Sequence, residues 1–218
     1  AHPVTGLQGL MNTIEILDKK LEDDSFFGVL SFTIRDLDPY VLEYGFANEE
    51  NVLRVVSHML QENLQFDQIT DYKLTHVREN QFLLFLDPDE INDFGNRMVE
   101  EFDKEMIQLY NNKKGNITFE NKLGEEIDYP MMSLLAIGFT NKIRGEINKF
   151  KDLEGKIFEI EKANYDVKEG SQYINYEDFK KGPTEKGKKK QEEEKTKDEN
   201  AEAEIETDDD LLDGLADV

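Results

Sequence analysis

Tyr72-Lys73-Leu74-Thr75-His76-Val77-Arg78-Glu79-Asn80-Gln81-Phe82-Leu83-Leu84-Phe85-Leu86 holds two short apolar runs around a polar centre. It predicts two strands, Tyr72 to Val77 and Gln81 to Leu86, joined tightly around Arg78-Glu79-Asn80. A hairpin in mid-chain makes the sheet mixed or antiparallel. Upstream, Leu7, Leu10, Met11, Ile14, Leu17 and Leu21 recur at spacings of three and four, which predicts an amphipathic helix. Phe26 to Ile34 predicts a buried strand. Pro39 opens a short helical segment ending near Gly45. Asn48 is placed to cap a helix from Glu49 to Asn63, with Val52, Leu53, Val56, Met59 and Leu60 inward.

Downstream, Pro88 opens a long helix reaching about Tyr110. Ile117 to Phe119 and Ile127 to Tyr129 flank a turn and predict a small hairpin. Met132 to Phe139 predicts an apolar strand, Phe150 to Asn164 a helix, and Tyr173 to Tyr176 a last strand. The fold class is α/β in the α+β sense: a central, mostly antiparallel sheet flanked by helices. No internal repeat is visible.

After about Glu177 the character changes. Residues 177–218 carry 16 acidic and 8 basic side chains, and apolar residues almost vanish until Leu211. Such a segment buries too little surface to offset its chain entropy. The chain therefore divides into a domain at 1–176 and a disordered tail at 177–218, first Lys-rich and then acidic. The tail ends on leucines set among acids, and Leu211, Leu212 and Leu215 are candidate contacts for a basic, apolar groove. A purely solubilising tail is the alternative.

The formal net charge is -23. That field repels phosphate backbones and anionic bilayers, so neither nucleic acid nor membrane is the expected partner. There is no cysteine, which excludes disulfides and thiolate chemistry and fits a reducing interior. No run approaches the roughly 20 apolar residues of a membrane span. The chain begins at Ala1 rather than Met, so a preceding segment is expected.

Five segments, in order, resemble the GGDEF (diguanylate cyclase) family. His2-Pro3-Val4-Thr5-Gly6-Leu7 is similar to its opening motif. Tyr44-Gly45-Phe46-Ala47 with Asn51-Val52-Leu53 resembles its Tyr-Gly-His stretch and the following helix start. His76 to Phe85 takes the place of its signature hairpin. Ser133-Leu134-Leu135-Ala136-Ile137-Gly138 resembles its late Ser-Ile-Gly strand, and Tyr165-Asp166-Val167-Lys168 with Gly170 its closing helix end. The resemblance implies a fold like that of nucleotidyl-cyclase palm domains.

It also implies a chemistry, the joining of two GTP molecules into cyclic di-GMP. That is phosphoryl transfer, in which metal ions neutralise charge and activate the attacking hydroxyl. Magnesium requires carboxylate oxygens. Counting back without gaps from Tyr44-Gly45, the family's first-strand Asp falls on Thr33, with Arg35 where a second Asp is usual. The Gly-Gly-Asp-Glu-Phe stretch reads Arg78-Glu79-Asn80-Gln81-Phe82, so the second metal position is the neutral amide Asn80 and both glycines are gone. The guanine-reading Asn becomes Val41, the guanine-reading Asp becomes Glu50, and the phosphate-facing Lys becomes Asp38. The product-site arginine is missing from Ile69-Thr70-Asp71-Tyr72. A shifted register, with Asp36-Leu37-Asp38 as the family's Asp-Ile-Asp, rescues one metal carboxylate but not the hairpin.

The expectation is thus a degenerate, catalytically inactive GGDEF-like module with no cofactor. It would act in the bacterial cytoplasm through a protein partner or self-association, as the output part of a larger sensory or response-regulator protein. Two alternatives stay open: a residual diguanylate cyclase using Asp36 or Asp38, and a guanine-nucleotide sensor using Glu50. Arg35 and Arg78 are expected to seal the old pocket by pairing with the nearby acids Asp36, Asp38 and Glu43.

Overall fold

The computed structural model describes residues 1–23, 26–111, 115–140, 145–165 and 170–182. Five strands form one sheet in the order β2-β3-β1-β6-β7. They are β1 (Gly28–Arg35), β2 (Lys73–Arg78), β3 (Gln81–Leu86), β6 (Ser133–Phe139) and β7 (Gln172–Asn175). All neighbours run antiparallel except β6 and β7, which are parallel. A separate two-stranded ribbon joins β4 (Ile117–Glu120) to β5 (Glu126–Tyr129).

β1 lies in the centre of the sheet, with both its edges paired. Leu30, Phe32 and Ile34 point to one face, where they meet residues of α2 (Leu37–Tyr44), α3 (Phe46–Phe66) and α4 (Ile91–Leu109) in one buried cluster. The alternation along a strand sends Ser31 and Thr33 to the opposite face. On that face pack α1 (Leu10–Glu22) and α5 (Phe150–Ala163), with Leu17, Leu153, Ile157 and Ile160 buried. A Thr13 hydroxyl donates to the Thr75 hydroxyl at 2.8 Å and ties α1 to β2.

Several expectations need correction. Asn48 does not cap α3. The helix starts earlier, behind Gly45 at φ 92°, and the Asn48 amide donates back to the Tyr44 carbonyl. A glycine at that positive φ ends α2 and starts α3 without the steric cost a side chain would meet. Met11 and Leu10 are 70 % and 41 % exposed, so the apolar stripe of α1 is only partly buried. Pro88 opens a 3-10 turn (Pro88–Glu90) ahead of α4, with the Asp87 carboxylate accepting from the Asp89 N–H at 2.9 Å. A short helix, α6 (Tyr176–Lys181), follows β7 directly across the expected boundary. By internal contacts the chain divides into Ala1–Glu177 and Asp178–Val218. Leu211, Leu212 and Leu215 lie outside the described residues, as do Asp166, Val167 and Lys168.

The sheet and α4 approach closely at three glycines. A Cβ on Gly28 would run into Ile91, one on Gly95 into the Tyr173 ring, and one on Gly138 into both. Tyr173 is fixed in that gap by its hydroxyl, which donates to the Asn92 side chain at 2.7 Å. Gly138→Ala is expected to cost about 1–2 kcal/mol through overpacking, read as a lower urea midpoint at unchanged slope. An unchanged midpoint would mean that β6 and α4 separate freely.

Candidate functional site

The residues singled out by the sequence converge at one end of β1. The hairpin tip comes to it from one side and the C-terminal half of α5 from the other. Gln81 pairs with Thr33 across the β1–β3 ladder, which sets Asn80 beside Ile34. Two bonds then lock the tip. The Ile34 N–H donates to the Asn80 carbonyl, and the Asn80 side-chain amide donates to the Ile34 carbonyl, each at 2.9 Å.

Thr33, on the α5 face, donates its hydroxyl to a Glu161 carboxylate oxygen at 2.6 Å. Arg35, two residues on, points the same way. Its guanidinium donates to the Ser133 hydroxyl at 2.9 Å and to the Gly170 carbonyl at 2.8 Å, with the Asn164 carbonyl at 3.5 Å. Burial lowers the Arg35 pKa, while the Asp36 and Asp103 carboxylates act to raise it. It stays a cation, because arginine is not deprotonated in proteins. Ser171 continues the network: its hydroxyl donates to Asp103 at 2.5 Å and accepts the Leu134 N–H at 2.8 Å.

At the outer edge Arg78 pairs with Glu154 of α5, not with Asp36, Asp38 or Glu43 as expected. Both side chains are about half exposed, so the pair is screened by water. Arg78→Ala is therefore expected to lower stability by no more than about 1 kcal/mol in a thermal melt. A loss above roughly 2 kcal/mol would show that the pair seals the site in a way its exposure does not suggest. Glu79 is exposed, Gln81 donates to the buried Ser31 hydroxyl at 3.2 Å, and Phe82 is fully buried.

The remaining candidates stand apart. Asp36 adopts a left-handed conformation (φ 57°) at the start of α2, and Asp38 is exposed in its first turn. Val41 is buried against the core. Glu50 is exposed on α3 and pairs with Arg54, one turn on, at 2.8 Å. Among the described residues no three His, Asp or Glu side chains gather in a metal-holding arrangement. No described helix is long and apolar enough to cross a membrane.

Sequence reading missed the α5 side of the site altogether. Glu154 and Glu161 stand in Phe-Lys-Asp-Leu-Glu-Gly-Lys-Ile-Phe-Glu-Ile-Glu, where they read as ordinary solvent-facing acids. It also missed a cavity of about 310 Å³ where the C-terminal end of α1 meets the start of β2 and the end of β3. Ile16, Lys19, Lys20, Tyr72, Lys73 and Phe85 are among its lining.

No protein-family model matches the sequence, and no curated protein sequence does. Solved structures do match. The GGDEF domain of FimX from Pseudomonas aeruginosa superposes with a TM-score of 0.54 at 15% identity, over 80% of this chain and 97% of that one. The GGDEF domain of DgcB from Caulobacter crescentus, solved in complex with c-di-GMP, gives 0.54 at 12% identity, over 81% and 95%. The active GGEEF domain of a diguanylate cyclase from Vibrio cholerae gives 0.51 at 9% identity, over 78% and 97%. The chain thus has the fold of these GGDEF domains, with the palm-like sheet and flanking helices that the sequence resemblance implies. Identities this low speak for fold and not for chemistry.

Proposed function

We propose that this GGDEF-like domain is a catalytically inactive signalling module that works through protein contacts. The observation that carries the proposal is the closed set of bonds made by Thr33, Arg35 and Asn80. The cyclase reaction needs carboxylate oxygens free to hold magnesium and a path for a triphosphate. At the corresponding end of β1, Thr33 offers a hydroxyl already given to Glu161. Asn80 offers an amide whose N–H is given to a backbone carbonyl. The Arg35 guanidinium stands at the same end of β1, given to the Ser133 hydroxyl and the Gly170 carbonyl, and its charge repels a divalent cation. The residues present do not fit the metal, and no catalytic step is assigned to it.

The alternatives gain less support. The residual-cyclase reading rests on Asp36 and Asp38, of which the first starts a helix and the second faces solvent. The nucleotide-sensor reading rests on Glu50, which is engaged with Arg54 on an exposed helix surface. With the site closed, the acidic domain is left with its surface as the means of action, toward a protein partner or a second copy, in a cytoplasmic bacterial setting. Incubating the full chain with GTP and magnesium or manganese, beside an active cyclase, tests the enzymatic half of this reading. No cyclic di-GMP is expected. Product that disappears on replacing Asp36 or Asp38 by Asn would establish the residual cyclase instead.

A further inference from the structure

We propose that His2 and His76 form an acid-sensitive clasp that fastens the N-terminal segment onto the β2–β3 hairpin and releases it as the pH falls below the ordinary histidine range.

The segment is folded on itself before it touches the sheet. The His2 N–H donates to the Leu7 carbonyl at 2.6 Å, and the Gly6 N–H donates to the His2 carbonyl at 2.9 Å. Gln8 then runs beside Thr75 as a single parallel bridge, with the His76 N–H donating to the Gln8 carbonyl at 2.8 Å. This covers part of the exposed edge of β2, and it is the whole backbone attachment of the segment to the sheet among the described residues.

The side chains complete the fastening. The His2 ring lies 4.0 Å from the His76 ring, and His76 stacks on Phe82 at 4.4 Å and 12°. His76 is only 3 % exposed, so it is buried within β2 and not set at a strand end. Its Nε2 faces the Glu79 carbonyl at 3.3 Å. A carbonyl only accepts, so the ring proton sits on Nε2. In the neutral ring Nδ1 is then left to accept from the Thr5 hydroxyl at 3.2 Å. His2 Nδ1 likewise accepts, from the Val4 N–H at 3.3 Å. Burial of the His76 ring disfavours the imidazolium in the closed clasp.

The groups acting on the His76 ring come from three places. His2 and Thr5 face it from the N-terminal segment, the Arg78 and Glu79 backbone from the hairpin turn, and Phe82 from β3. The Arg78 guanidinium itself is turned to Glu154. Burial is the main cause lowering the His76 pKa, and His2 adds to it; the backbone bonds to Glu79 and Arg78 oppose both. No described carboxylate is among the groups that stabilise the imidazolium. A group with a depressed folded pKa keeps its full stability above the unfolded value, near 6.5, and loses it as pH falls through the folded one. Opening the segment hydrates the ring and separates it from His2, so proton uptake and release of residues 1–8 are one event.

Amide hydrogen exchange of the full chain between pH 7.5 and 5 tests this, with protection factors corrected for intrinsic chemistry. Protection at the His76 N–H is expected to fall by up to about tenfold per pH unit once acidification passes the ordinary histidine value. His2→Phe keeps a ring against His76 but removes the second basic group, so its loss should be shallower. His76→Gln should show no such dependence. Because that variant loses a buried ring and risks misfolding, His2→Phe is the deciding one. Constant protection in the parent chain, or identical pH profiles for the parent and His2→Phe, would overturn the clasp.

Discussion

Phe32→Ala is expected to remove about 3–5 kcal/mol of folding stability, the range for deleting a fully buried phenylalanine. Phe32 has no solvent exposure and occupies the middle of the central strand. It pairs with Phe82 on one side and Ala136 on the other, and meets the edge of the Phe94 ring at 6.5 Å. Strand partners fix both its flanks. For a domain of this size each kcal/mol moves the melting temperature by about 2–4 °C, so a drop of roughly 10 °C is expected in a thermal melt. A drop of one or two degrees would mean that β1 is not the centre of the sheet. The register that sets Asn80 against Ile34 would then fail with it.

Arg35→Ala is expected to cost about 2–3 kcal/mol. The two shorter bonds, to the Ser133 hydroxyl and the Gly170 carbonyl, are charge-assisted and hold β1, β6 and the start of the β7 segment together. Hydrogen bonds to charged groups contribute roughly 1.5–3 kcal/mol each, and the partial exposure of Arg35 reduces that figure. Removing the cation also leaves Asp36 and Asp103 without the positive charge that now faces them. Arg35→Lys should rescue little, since one ammonium cannot reproduce a planar fork reaching several acceptors. Urea unfolding of both variants gives the comparison. Full rescue by lysine would show that charge alone matters and that the carbonyl contacts are incidental.

Much of this architecture is legible in the sequence where periodicity is strong. The two runs flanking Arg78-Glu79-Asn80 form the hairpin, and Val52, Leu53, Val56, Met59 and Leu60 face the core. What failed did so for local reasons. Asn48 has the chemistry of a cap, but Gly45 supplies the positive φ that the α2–α3 corner requires. Tyr173 reads as strand without revealing that its strand runs parallel to β6.

The candidate site was legible as a set of residue types and not as a set of bonds. Thr33, Arg35, Asn80 and Arg78 can be picked out from the chain, yet their partners cannot. Glu161 lies 128 residues from Thr33 and Glu154 lies 76 from Arg78. The acceptors of Asn80 and the closing acceptors of Arg35 are backbone carbonyls, which no residue type advertises. His76 is a similar case. Its neighbours Thr75 and Val77 suggest a strand, but only the fold brings His2 onto its ring.

We propose that the protein's own groups close the end of β1 to metal and nucleotide. Calorimetric titration of the full chain with GTP in the presence of magnesium tests it most directly, with an active cyclase as the positive control. No saturable heat is predicted. Saturable binding that is lost when magnesium is chelated would contradict the claim and show that Thr33, Arg35 and Asn80 leave a nucleotide site open.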